Sequence, residues 1–161
     1  MDNGTALATR DATPRAIARY LASLKPALGA ATDARNIWVR YLGELARRDD
    51  VSAAHAEAVQ YALARGQQFH EARRQIMHLP VPPGYEPMQQ AVDGWLQALL
   101  ASCEALVRSH PPLTRQTLER VQAILHEAAG KADKFNNQRA VAVQNLVEAQ
   151  SSGRNGSRTR H

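Results

Sequence analysis

The fold is decided by residues 17–45, which read IARYLASLKPALGAATDARNIWVRYLGEL. Within this stretch, residues recur at alternating steps of three and four, and all but one of them are apolar: Ile17, Leu21, Leu24, Leu28, Ala31, Arg35, Trp38, Leu42 and Leu45. Because an α-helix has about 3.6 residues per turn, these steps keep one stripe of side chains facing a neighbouring helix. The stretch therefore predicts a long amphipathic helix.

A second stripe with the same steps begins at residue 118 and includes one arginine: Leu118, Val121, Leu125, Ala128, Ala132, Phe135, Arg139, Ala142, Leu146 and Ala149. Two shorter helical patterns lie between the stripes, separated by proline-rich breaks at 79–87 and 110–112. N-cap residues Thr13, Ser52 and Thr114 precede three of the helices. The predicted helices span residues 14–47, 53–78, 87–109 and 115–150. Since short connections favour antiparallel neighbours, we predict an all-α, up-down-up-down antiparallel four-helix bundle with helices 1 and 4 as long outer helices.

Both ends of the chain are predicted to lie outside the bundle, which occupies residues 13–150. Residues 1–12 are expected to be a flexible N-terminus, and residues 151–161 a disordered basic tail without an apolar residue. The whole chain has 161 residues, a single-domain length, and a formal net charge of +5. Three of its cations, Arg154, Arg158 and Arg160, are in the tail, where they favour weak contact with a polyanion such as nucleic acid.

Sequence motifs for catalysis and metal binding are absent. The single cysteine, Cys103, excludes an intramolecular disulfide and a CxxC pair, and it is expected to pack as a small apolar group. None of the internal histidines follows an acidic residue at the diiron spacing, and no HExxH, GxxxxGK[ST], GxGxxG or GxSxG occurs. We therefore predict a protein that is not an enzyme and has no metal or cofactor.

The hydropathy of the chain favours a cytoplasmic protein. The first residues carry charges at Asp2 and Arg10 and contain no apolar core of a signal peptide. The longest uncharged apolar stretch, near residues 94–103, is too short to cross a bilayer.

One layer of the predicted bundle contains unusually small side chains. Gly29 with Asp33 on helix 1, Gly66 on helix 2 and Gly130 on helix 4 fall at similar heights, with Trp95 on helix 3 nearby. Either Trp95 fills the space that the glycines leave, or the layer is a pocket for a small ligand.

The segment 126–131, HEAAGK, begins with a histidine on helix 4. It resembles part of the histidine phosphotransfer motif, in which an exposed helical His is followed by Lys three positions on and Gly four positions on. Gly130 matches this pattern, whereas Ala129 stands at the lysine position and Lys131 is two positions late. The resemblance covers six residues and makes His126 a candidate phosphotransfer residue on a bundle of the same kind.

Two cations interrupt the long stripes. Arg35 and Arg139 are expected to extend toward water, to pair with an acid, or to face a second protein chain. A count of residues along the helices places Arg139 beside residues 24–26 and Arg35 nearer Ala128, so that the two should not meet.

The three function hypotheses follow from these features. The leading one is a non-enzymatic interaction or scaffold protein, in which long helices 1 and 4 associate with a partner helix or with a second copy of the chain. The alternatives are a small-ligand-binding or phosphotransfer-like bundle, and an accessory polyanion-binding protein acting through the basic tail.

Overall fold

The computed structural model describes residues 12–156 and their side chains through Arg154. Four helices make up this part of the chain, and it contains no strand. Helix α1 spans Pro14–Ala46, α2 spans His55–Met77, α3 spans Glu86–Val107 and α4 spans Arg115–Gly156, with one 3₁₀ turn at Ser52–Ala54 before α2. The predicted all-α four-helix bundle is confirmed. Residues 1–11 of the predicted flexible N-terminus and the tail cations Arg158 and Arg160 lie outside the described residues.

Contacts at the helix ends establish the antiparallel order. The end of α1 meets the start of α2 through Arg48 and Glu57, and it meets the start of α4 through Arg115. The start of α2 meets the end of α3, where His55 Nε2 donates to the Ser109 carbonyl at 3.0 Å. Each helix therefore runs opposite to the next, and α4 closes the bundle against α1.

Local signals explain where α1 begins and ends. Thr13 Oγ1 accepts a hydrogen bond from the Ala16 backbone N–H at 3.1 Å, with Pro14 in the first turn. At the other end, the Arg115 guanidinium donates to the carbonyl oxygens of Ala46 at 3.0 Å and Asp49 at 3.2 Å, and also to that of Arg48. The first residue of α4 thus satisfies carbonyl groups that the end of α1 leaves without partners.

The buried surface of α1 is rotated by about one row from the predicted stripe. The buried residues of α1 include four that lie outside that stripe: Tyr20, Ala27, Ala34 and Tyr41. The row Leu21, Leu28 and Arg35 is only half-buried. On α4, the residues at seven-residue spacing from Val121 to Ala142 are buried. A neighbouring row on α4 is half-buried, except for Arg139, which is exposed: Leu125, Ala132, Arg139 and Leu146. We call these two half-buried rows the rim rows.

The centre of the core combines apolar packing with one polar chain. Trp38 is fully buried, and its Nε1 donates to Ser102 Oγ at 3.0 Å. The Ser102 hydroxyl in turn donates to the Leu99 carbonyl at 2.6 Å. The indole N–H therefore has an acceptor in a region without access to water.

Helix α4 is longer than predicted. It continues through Gly156, so residues 151–156, predicted as the start of the disordered tail, extend the helix instead. The hydroxyls of Ser151 and Ser152 donate to the carbonyls of Val147 and Glu148, an arrangement that a helix accommodates without a break. At 1.5 Å per residue, α4 is roughly 13 Å longer than α1. Among the described side chains of α4, Ala142 is the last buried one.

Candidate partner-binding face

The chemical groups that could make a reactive centre are dispersed over the bundle. Within residues 12–156, no three His, Cys, Asp or Glu side chains are arranged to hold a metal ion. Cys103 is buried beside Gly66, and burial raises the pKa of its thiol to about 12. The thiolate that a nucleophile requires is therefore disfavoured at neutral pH, as expected for a packing residue.

His126 is an exposed residue on α4. Lys131 extends in another direction, because five residues turn a helix by about 140°. The aliphatic stem of Lys131 lies over Gly94 of α3, with its Cδ 3.8 Å from the position of a β-carbon on that glycine. The structure does not bring the lysine and the histidine of the predicted phosphotransfer segment together.

The glycine layer does not enclose a space. Gly29, Asp33 and Gly130 are exposed, and a β-carbon built on either of these glycines would meet no atom within 4 Å. Gly66 faces Cys103 on α3, and the Cβ of Cys103 would lie 3.8 Å from a β-carbon added to this glycine. Trp95 is buried, but it lies beneath a different opening, the boundary between α1 and α4.

Specific contacts bridge three of the four helix boundaries, although depressions also lie between α1 and α2 and between α3 and α4. Tyr41 and Tyr61 stack between α1 and α2, with ring centroids 3.8 Å apart. Arg73 and Asp93 form an ion pair between α2 and α3. Lys131 covers the boundary between α3 and α4. Helices α1 and α4 pack against each other less extensively than the other neighbouring pairs, and a cleft opens between them.

The α1–α4 cleft has a volume of about 290 Å³. It is lined by Leu28, Thr32 and Arg35 of α1, by Trp95 of α3, and by α4 residues between 129 and 139. Buried Trp95 and Phe135 contribute aromatic surface to it. The rim rows of the two helices face each other across this cleft. An arginine in either row can keep its guanidinium in contact with water, so it does not have to be buried in the core.

Arg35 and Arg139 both line the cleft, so one surface includes both cations. Arg35 donates from Nη1 to Asn36 Oδ1 at 3.2 Å. Among the described residues, no carboxylate oxygen lies within 4.0 Å of either guanidinium. Asp133 also lines the cleft without forming an ion pair with them. The cleft therefore combines an apolar floor with two cations that have no acidic partner in this part of the chain.

The same face of α4 continues as an exposed apolar surface. A shallow depression shares Asn136 and Arg139 with the cleft and adds Ala140 and Val143. Val143 is 46% exposed and Val147, one turn further, is 56% exposed. We define the α1–α4 face as the cleft together with Ala140, Val143 and Val147. Sequence reasoning identified the two arginines and Trp95 separately, but it did not place them on one surface.

A second depression lies between the start of α3 and the C-terminal half of α4. It has a volume of about 420 Å³, and it is lined mainly by apolar groups, including Tyr85, Met88 and Val141. The side-chain oxygen of Gln138, which also lines it, is buried and has no hydrogen-bond partner among the described residues. The proline-rich loop that enters α3 forms one wall, and the sequence contains no distinctive signal for this depression.

No described helix contains an apolar run long enough to cross a membrane. Comparison with known proteins found no matching family model, no matching curated protein and no matching solved structure.

Proposed function

We propose that this chain is a non-enzymatic interaction module whose α1–α4 face binds a helix of another protein chain. The observation that carries the proposal is the continuity of this face: an aromatic-floored cleft adjoins a depression that includes the exposed Val143, and the exposed Val147 follows one turn later on α4. Single exposed apolar residues are normal on a protein surface, whereas contiguous ones beside a cleft mark binding surfaces.

The spacing of the face suits a helix as the bound element. Ala132, Asn136, Arg139, Val143 and Val147 follow one another at steps of three and four along α4. The rim row of α1 runs antiparallel beside them, so the two helices form a groove with ridges on both sides. A third helix can place its own apolar stripe into such a groove by the same packing that holds the bundle together.

The groups in the cleft favour binding over a reaction. They comprise two guanidinium groups, one carboxylate, amide and hydroxyl side chains, and apolar surface. Arginine and aromatic residues are enriched where protein interfaces have their strongest contacts. The cytoplasmic location and the absence of catalytic activity remain predictions from the sequence.

Site-specific photocrosslinking in the native cell tests this proposal. A benzophenone amino acid replaces Val143 in one variant and Leu63 in the other. Leu63 is a matched control, because it is an aliphatic residue on α2 with a similar exposure of 48%. We expect a covalent adduct with another protein chain from position 143 and none from position 63.

Two results would contradict the proposal. One is an equal adduct from both positions, which would indicate non-specific contact. The other is the absence of any adduct from position 143 in a variant whose circular dichroism matches that of the original chain. A further substitution, Val147→Asp, is expected to abolish the adduct from position 143 and to change the free energy of unfolding by less than about 0.5 kcal/mol, because Val147 is exposed.

A further inference from the structure

We propose that the helix bound by the α1–α4 face is acidic and carries carboxylates two turns apart on either side of an apolar residue. This inference rests on the proposed function, because it specifies the chemistry of the partner. It is carried by the charges that line the cleft and by their spacing.

The charged side chains that line the cleft have a net positive charge, and its two arginines form no ion pair among the described residues. Arg35 and Arg139 contribute two cations and Asp133 contributes one anion. Neither arginine has a carboxylate within 4.0 Å among the described residues. Guanidinium groups bind carboxylates through paired hydrogen bonds, and beside an apolar surface that excludes water such contacts are stronger than on an open surface. An occupant with acidic side chains therefore complements this face.

The positions of the two arginines set the spacing of the acids. Because α1 and α4 are antiparallel, the lining segments 28–35 of α1 and 129–139 of α4 run in opposite directions, which puts Arg139 nearer the level of Leu28 than that of Arg35. Arg35 is seven residues further along α1, which is roughly 10 Å at 1.5 Å per residue. A docked helix that lies along the groove matches this rise along its axis with carboxylates at positions i and i+7, which are two turns apart, and the flexible arginine side chains reach them from the two ridges of the groove.

The floor of the cleft specifies the residue between the acids. Trp95 and Phe135 present buried aromatic rings beneath the groove. A large apolar side chain, such as leucine, midway between the two carboxylates would enter the cleft and cover this surface. A single-stranded nucleic acid would supply negative charge but no aliphatic side chain. A second copy of this chain docked through the same face would bring arginines against arginines.

Fluorescence anisotropy with two designed peptides tests the inference. Each peptide is a labelled helix of about six turns, built from leucine and alanine, with charged residues at i and i+7 flanking a leucine stripe. One peptide carries glutamate at the charged positions and the other carries lysine. We expect the full chain to bind the glutamate peptide about tenfold or more tightly than the lysine peptide, and the difference to decrease with added salt.

Charge reversal assigns the preference to the two arginines. The double variant Arg35→Glu, Arg139→Glu should reverse the preference and bind the lysine peptide more tightly. Arg120→Glu is the matched control, because Arg120 is an exposed cation of α4 that does not line the cleft. It should retain the preference for glutamate. Circular dichroism of all variants confirms that the bundle is intact.

The other outcomes overturn the inference without deciding the proposed function. Equal binding of both peptides, or binding of neither, would show that the face does not select an acidic helix, while crosslinking from position 143 would still report a partner. Tighter binding of a single-stranded RNA, lost in the double variant, would assign the arginines to a polyanion. A dimer in light scattering that dissociates in the double variant would identify a second copy as the occupant.

Discussion

The hydrogen bond between Trp38 and Ser102 allows a quantitative test of the core. The substitution Ser102→Ala removes the acceptor of the Trp38 indole N–H and changes little else, because alanine fits wherever serine does. Both side chains are fully buried, so water cannot replace the lost hydroxyl. The indole N–H, which donates to that hydroxyl at 3.0 Å, is left without a partner.

The expected cost depends on which residue occupies position 38. With Trp38 present, a buried donor without an acceptor costs about 1–3 kcal/mol in the free energy of unfolding. With Trp38→Phe as background, the Ser102 hydroxyl donates only to the Leu99 carbonyl, and its removal should cost less than about 0.5 kcal/mol. The double-mutant cycle should therefore give a coupling energy of about 1–2 kcal/mol.

Urea unfolding followed by circular dichroism measures all four proteins of the cycle, since this signal does not depend on the tryptophan. Ser23→Ala is the control, because Ser23 also donates to a carbonyl of its own helix, that of Arg19 at 2.8 Å, but is exposed. Its substitution should change stability by less than about 0.5 kcal/mol. If Ser102→Ala has the same cost in the original chain and in the Trp38→Phe background, the hydrogen bond does not stabilise the core and the reasoning is refuted.

Three other predictions concern pH, a helix end and local stability. Burial raises the pKa of the Cys103 thiol from 9.0 to about 12, and that of the Tyr41 hydroxyl from 10.0 to about 12. As the pH rises, the unfolded chain therefore loses these protons before the folded chain does. The free energy of unfolding should fall between pH 9.0 and about pH 12. Cys103→Ala should delay that fall until about pH 10.0 in alkaline denaturation curves, and an unchanged onset would contradict the assignment. Arg115→Ala removes donors to the end of α1 and should cost about 1 kcal/mol in urea unfolding, whereas an equal loss in Arg120→Ala would argue against this role. In the isolated chain, amides of α4 after Ala142 should exchange with solvent faster than those of residues 118–142, and uniform protection would disagree with the lack of buried side chains there.

The helices could be predicted from the sequence because their signals are local. The predicted N-caps Thr13 and Thr114 accept hydrogen bonds from backbone N–H groups at the starts of α1 and α4. The predicted N-cap Ser52 is wrong, because Ser52 lies in the 3₁₀ turn and α2 begins at His55 without a side-chain cap. The three- and four-residue steps indicated which side of each long helix faces the bundle, to within one row. The end of α4 was harder to predict, because serine and glycine lower helix propensity without excluding a helix.

The cleft could not be predicted because it depends on how two helices are rotated and aligned. A strict seven-residue repeat drifts by about 20° per heptad around a straight helix, so over the length of α4 a row can pass from the core to the rim. Leu118 is buried on this row, whereas Arg139, three heptads later, is exposed. The heights of Arg35 and Arg139 depend in addition on loop geometry. The sequence therefore did not show that these two side chains line one cleft.

Methyl NMR during titration with the glutamate peptide most directly tests whether the α1–α4 face binds an acidic helix. We expect the methyl resonances of Leu28, Val143 and Val147 to shift, and those of Leu63 on α2 to remain unchanged. Shifts centred on Leu63, or spread evenly over all four helices, would contradict the assignment of the binding face.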